Sequence, residues 1–128
     1  MDLSKLRFLS SHEWALIEDG ICTVGITQFA VEQLTDVTNL DLPKTGQKVQ
    51  AGKPFGEIES VKAVFDLNAP VSGEIIAINQ AVAANPSLVT ADPYVSGWMI
   101  KIKMTDPSRT SHLLDLTSYE KQLSEQGH

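Results

Sequence analysis

Lys62 lies in the run Glu59-Ser60-Val61-Lys62-Ala63, and its primary amine is a group on which a prosthetic group can be attached. A group carried on such a tether meets several enzyme sites at an effective concentration of about millimolar for short flexible links. Little else in the chain is arranged for chemistry. His12, His112 and His128 are scattered without the spacing of metal ligands. Neither a nucleophile elbow nor a phosphate-cradling glycine loop is present. The acids are dispersed, so no general acid/base pair forms; catalytic and metal-binding residues are both expected to be absent. The competing reading of Lys62 is an ordinary solvated lysine that discourages edge pairing.

The elements around Lys62 favour deliberate presentation. Pro54 to Ser60 alternates, with Phe55, Glu57 and Glu59 expected on one face and Ile58 and Ser60 on the other. Ala63 to Asn68 alternates likewise, with Ala63, Phe65 and Leu67 opposed to Val64, Asp66 and Asn68. Period two on both flanks is the signature of a hairpin. Its connection, Val61-Lys62, is poor turn chemistry where Asn-Gly or another glycine pair is usual. Local rules fail most often where function overrides them.

Elsewhere, short strands are expected near Leu6 to Leu9, over Glu13 to Glu18 and over Ile21 to Ile26, the last two joined by the turn pair Asp19-Gly20. Thr27 can cap a short helix through Leu34. Val37 to Leu42 reads as a strand stopped by Pro43, and Lys44 to Gly52 as a turn-rich stretch. Val71-Ser72-Gly73 turns the chain into a strand from Glu74 to Ile78. Asn79 to Gly97, with Asn85-Pro86, Asp92-Pro93 and Ser96-Gly97, reads as a long ordered loop with a helical turn. Trp98 to Met104 is a strand burying Trp98, Ile100, Ile102 and Met104 while Lys101 and Lys103 face water. In the tail, Asp106-Pro107 resembles a helix start, and Thr117 with Glu120 a capping box for a second helix lined by Leu116, Tyr119 and Leu123. Many short strands with few helices point to a compact β-sandwich or barrel with helices packed outside.

Composition narrows the function classes. A chain of 128 residues is expected to be one domain, long enough to bury a core without staples. The single Cys22 excludes an internal disulfide, and its alternation with Val24 and Ile26 makes it a small buried hydrophobe. A net charge of −6 without a basic patch argues against nucleic acid as a partner. No run has the length of a membrane span, and the N-terminus lacks the pattern of a signal peptide.

Several blocks occur in order: Ser11-His12-Glu13-Trp14, Val24-Gly25-Ile26-Thr27, Asp41-Leu42-Pro43, Glu59-Ser60-Val61-Lys62-Ala63, Ala69-Pro70-Val71-Ser72-Gly73-Glu74, Asp92-Pro93-Tyr94 and Gly97-Trp98-Met99-Ile100-Lys101-Ile102. Over nearly its whole length the chain resembles the glycine cleavage system H-protein family of lipoyl carriers. The spacing of Gly46 and Gly73 about Lys62 is similar to that of lipoyl carriers generally.

The resemblance implies a mainly β fold, a barrel-sandwich hybrid of two small antiparallel sheets with a short internal helix and C-terminal helices. It implies lipoate in amide linkage on Lys62, with Glu59, Ser60, Val61 and Ala63 as the context read by a lipoate-attaching enzyme. It further implies three partners. A glycine decarboxylase loads an aminomethyl group onto the oxidised dithiolane, an aminomethyltransferase passes the one-carbon unit to tetrahydrofolate, and a dihydrolipoyl dehydrogenase reoxidises the dithiol. The carrier is then a cosubstrate and not an enzyme. Glu13 is implied as the partner of the loaded arm's ammonium, with Ser11 and Asp66 near the same groove. The compartment would be bacterial cytoplasm, or the mitochondrial matrix for a processed eukaryotic chain.

Two departures stand out. Gln33 takes a place where a histidine is frequent in the family, and Thr35 to Asn39 is more polar than the usual strand before the Asp-Leu-Pro block. Rival readings are an H-like protein relaying lipoate to other carriers, and an unmodified scaffold. A biotin carrier fits poorly because Val61 and Ala63, not methionines, flank the lysine. A lipoyl domain of a 2-oxo-acid dehydrogenase lacks the Trp98 strand and the tail.

Overall fold

The hairpin signal at Asp19-Gly20 is realised as read: both residues adopt positive φ, 51° and 77°, and join two antiparallel strands. The computed structural model describes residues 3–34, 36–61, 63–106, 108 and 110–126; Lys62 itself lies outside them, as do Thr35 and Pro107. The strands are β1 (Arg7–Phe8), β2 (Glu13–Glu18), β3 (Ile21–Ile26), β4 (Val37–Asp41), β5 (Lys48–Val49), β6 (Pro54–Ser60), β7 (Val64–Asn68), β8 (Gly73–Ile78) and β9 (Ile100–Met104). Among the described residues they form a six-stranded sheet, β1-β2-β3-β9-β8-β5, and a three-stranded sheet, β4-β6-β7. Every pairing is antiparallel. This is the expected mainly β hybrid of two sheets. The core between them gathers Ala15, Cys22, Val24, Leu40, Ile58, Leu67, Ile75 and Ile102. Cys22 is fully buried there, and burial pushes its thiol up to about 12.

A second apolar cluster covers the outer face of the larger sheet. Alternation along β2 sends Ala15 inward and Trp14 outward, where it joins Leu6, Phe8 and Tyr119. Gly25 is what lets the indole lie flat on β3: a Cβ there would come within 2.6 Å of the Trp14 ring. The indole N–H, which must be satisfied once buried, donates to the Pro93 carbonyl at 2.9 Å.

Helix α1 (Gln28–Gln33) starts at Thr27 as expected, the Thr27 hydroxyl accepting from the Ala30 N–H at 3.3 Å. Other readings need correction. The stretch from Asn79 to Gly97 holds two helices, α2 (Gln80–Ala84) and α3 (Ser87–Ala91). Each has five residues and one buried side chain, Val82 or Val89, too few to show a helical period. The buried Asn79 caps the first and donates to the carbonyls of Ser96 and Trp98, pinning the segment internally. The last strand begins at Ile100, and Trp98 is only half-buried, with the Lys101 ammonium 5.2 Å from its ring centroid. Strand β5, within the stretch expected to be turns, is only two residues long, too short to alternate.

The tail carries one helix among the described residues, α4 (Leu116–Gln126). Its start is not Thr117: the Asp115 carboxylate accepts from the Ser118 N–H at 2.8 Å, as an N-cap does. At the other expected start, the Asp106 carboxylate binds the Ser108 N–H and hydroxyl in a local turn. The face assignment on β6 also changes. A register shift between Pro54 and Gly56 inserts an extra residue, so Phe55 and Ile58 are both buried and Phe55 does not share a face with Glu57.

Candidate functional site

The hairpin of β6 and β7 closes between Ser60 and Ala63, with the expected Lys62 position outside the described residues. Ser60 and Ala63 close it: the Ser60 N–H donates to the Ala63 carbonyl at 2.8 Å, and the Ala63 N–H donates to the Ser60 hydroxyl at 3.2 Å. Ser60 is buried, so it braces the turn with its own side chain. Val61 is 68% exposed and Val64 53%, an unusual display of branched apolar side chains on either side of Lys62. The Val61 N–H donates to the Asp36 carbonyl, which ties this end of the hairpin to the segment before β4. Glu59 is exposed, and Ala63 is half-buried. The polar residues of β4 are explained by its place at the edge of the smaller sheet, where only Leu40 is buried.

Behind that turn, along β7, runs a groove of about 280 Å³. Ile26, Ala30, Leu34, Ile58, Phe65 and Leu67 make it apolar; Ser11, His12, Glu13, Gln33, Asp66 and Asn68 supply its polar atoms. The structure thus brings Ser11, Glu13 and Asp66 to one place, with Gln33 beside them. Glu13 is the informative member. It is 1% exposed, yet the groove lining contains no Lys or Arg to pair with it. Its carboxylate accepts from the Ser11 hydroxyl, from the Asn68 backbone N–H at 2.8 Å and more weakly from the Asn68 side-chain amide at 3.4 Å. Burial raises its pKa above the ordinary 4.5, while these hydrogen bonds pull the other way without cancelling it. Asn68 reaches Glu13 because β7 is an edge strand, free to offer an N–H to a side chain.

His12 was not anticipated here. It takes φ of 79°, a left-handed conformation uncommon outside glycine, and places its ring in the groove wall. Its nearest ring neighbour is Phe29, 4.6 Å between centroids. Nothing local in the sequence signals this, because its hydroxyl partner, Tyr119, lies at the far end of the chain. Among the described residues no cluster of His, Cys, Asp or Glu could hold a metal ion, and no helix is long and apolar enough to cross a membrane.

Comparison with known proteins accounts for this arrangement. The sequence description of the glycine cleavage H-protein family matches residues 6–126. The chain belongs to the glycine cleavage H-protein family. It is 48% identical over 118 residues to the glycine cleavage system H protein of Chromohalobacter salexigens, spanning 91% of this chain and 90% of that one. It is 42% identical over 124 residues to the mitochondrial H protein of Oryza sativa subsp. indica, covering 97% of this chain and 76% of the relative. A crystal structure of the H protein from Mycobacterium marinum superposes with a TM-score of 0.86 at 36% identity, covering 98% of each chain. The fold described above is therefore that of an H protein, the carrier component of the glycine cleavage system.

Proposed function

We propose that Lys62 bears lipoate in amide linkage and that the groove behind the hairpin shelters the loaded arm. In this reading residues 1–128 act as one carrier unit. A lipoate-attaching enzyme modifies it, and it then serves the glycine decarboxylase, the aminomethyltransferase and the dihydrolipoyl dehydrogenase in turn. The observation that carries the proposal is Glu13, a carboxylate buried in a largely apolar groove whose lining, among the described residues, holds no Lys or Arg.

When attached, lipoate supplies a disulfide at the end of a mostly apolar chain. The residues of the chain are suited to hold such an arm. Ile26, Leu34, Ile58 and Phe65 offer dispersion contacts and exclude water. Ser11 and Asn68 fix the Glu13 carboxylate by donating to both of its oxygens. A cationic amine delivered to that carboxylate offsets a charge that is costly to bury alone. A charge-assisted hydrogen bond there contributes about 1.5–3 kcal/mol. Asp66 and Gln33 line the exposed rim, where their contribution is smaller because water screens them. Val61, Ala63, Glu59 and the braced Ser60 give the attaching enzyme a rigid turn to read.

The test is the intact mass of the protein expressed with lipoate available, followed by peptide mapping. A lipoyl increment on Lys62, lost in Lys62→Arg without a drop in melting temperature, supports the proposal. An unmodified Lys62, in a host that lipoylates its own carriers, overturns it in favour of a scaffold.

A further inference from the structure

Besides β7, the groove has two further walls, and a side chain outside the groove ties them to each other. One wall is the turn Ser10-Ser11-His12 leading into Glu13, and the other is α1, which contributes Ala30, Gln33 and Leu34. Tyr119, on α4, does not line the groove, though the Glu13 carboxylate acts electrostatically on its hydroxyl. Its ring stacks on Phe8, 4.6 Å between centroids and 7° from parallel, within the outer cluster. Its hydroxyl reaches the sheet edge and meets His12 Nδ1 at 2.8 Å and Thr27 Oγ1 at 2.6 Å. Thr27 is the N-cap of α1, and its own N–H donates to the His12 carbonyl at 2.9 Å. Further along α4, the Gln122 side-chain amide donates to the Ser10 carbonyl at 2.9 Å.

We propose that Tyr119 is a positioning residue for the groove: its hydroxyl joins the His12 turn to the cap of α1 and so sets the separation of the two walls. Several features converge on this. A left-handed histidine costs about 1–3 kcal/mol and persists only where its surroundings over-determine it. Here the over-determination is visible. The His12 N–H donates to Leu9, its carbonyl accepts from Thr27, its ring lies against Phe29, and Nδ1 meets Tyr119. Across this turn the Ser11 hydroxyl donates to the Glu13 carboxylate, so its conformation bears directly on the Glu13 wall. Thr27 and Tyr119 are both buried, so their hydroxyls have no water to fall back on if either is lost. A polar chain thus runs from the Ala30 N–H through Thr27 and Tyr119 to His12, crossing from α1 to the Glu13 wall.

This rests on the groove being the shelter of the loaded arm, and the experiment separates the two ideas. Tyr119→Phe removes one oxygen and leaves the stack on Phe8. In the unmodified full-length protein, the expected result is a shift of the His12 imidazole nitrogen resonances and of the Ser11 and Glu13 amides, with a cooperative melt retained. In the lipoylated protein, the aminomethyl-loaded form is expected to lose its amine about 2- to 10-fold faster, the range of one lost hydrogen bond. Thr27→Val should reproduce both effects and Thr27→Ser should reverse them. If Glu13→Gln shortens the loaded lifetime while Tyr119→Phe and Thr27→Val do not, the positioning role is overturned and the groove reading stands. If none of the three shortens it, the groove reading falls and the positioning role with it.

Discussion

Glu13 and Trp14 are neighbours on β2, yet they lie on opposite faces of the larger sheet and meet opposite surroundings. On the outer face, Trp14 lies with Leu6, Phe8 and Tyr119 under α4, each almost wholly buried, and its one polar atom is satisfied by Pro93. On the inner face, Glu13 ends a groove whose apolar lining stays partly open, with Phe65 45% exposed. The outer cluster is closed, aromatic and hydrogen-bonded, and its purpose is stability. The groove buries a carboxylate with no Lys or Arg among its described lining residues and leaves an aromatic ring partly in water, both of which cost stability. A strand's alternation sets the two surroundings one residue apart, and the Tyr119 hydroxyl is where the outer cluster reaches the groove wall.

That contrast is open to direct attack. The largest effect is expected from Trp14→Ala, which should lower unfolding free energy by about 3–5 kcal/mol in denaturant titration. A loss below 1 kcal/mol would mean that the outer cluster is not the stabilising one. Gly25→Ala should follow at about 1–3 kcal/mol, because the new methyl group must displace the indole. On the other face, Phe65→Ala is expected to cost under about 1 kcal/mol in the unmodified protein, since half its ring is already solvated. Its visible consequence should instead be faster loss of amine from the loaded arm; a stability loss matching that of Trp14→Ala would erase the distinction between the faces.

The smallest effect is a pH dependence. The folded state raises the Glu13 pKa above 4.5, so folding takes up protons in the window just above that value. The associated stability is fully present below pH 4.5 and is lost as pH rises through the folded value. Glu13→Gln keeps an oxygen for the Asn68 N–H, with the Ser11 hydroxyl able to accept from its amide, but cannot titrate. The variant should therefore gain on the wild type as pH is raised from 4 towards 7, in parallel denaturation series. A gap that is flat with pH, or shrinks, would show that Glu13 is not desolvated.

Much of this was legible beforehand, where the signal was local. Asp19-Gly20 fixed a hairpin, Thr27 a helix start, and alternation the strands about Lys62. The errors have local causes as well. The helices α2 and α3 are too short to carry a period, and β5 is too short to alternate. The bulge near Gly56 shifts the phase of β6 midway, which no strict period-two reading detects. In the tail, the capping hydrogen bond comes from Asp115, two residues before the expected Thr117.

The sequence by itself determined the strand periods, the Lys62 turn and the blocks that mark an H protein, because these depend on residues close together in the chain. Only the tertiary structure decided that Glu13 is buried, that Asn68 holds its carboxylate, and that Tyr119 reaches His12 and Thr27. Those contacts join residues from distant parts of the chain. They follow from how two sheets and a terminal helix close on one another, and no local period records that closure.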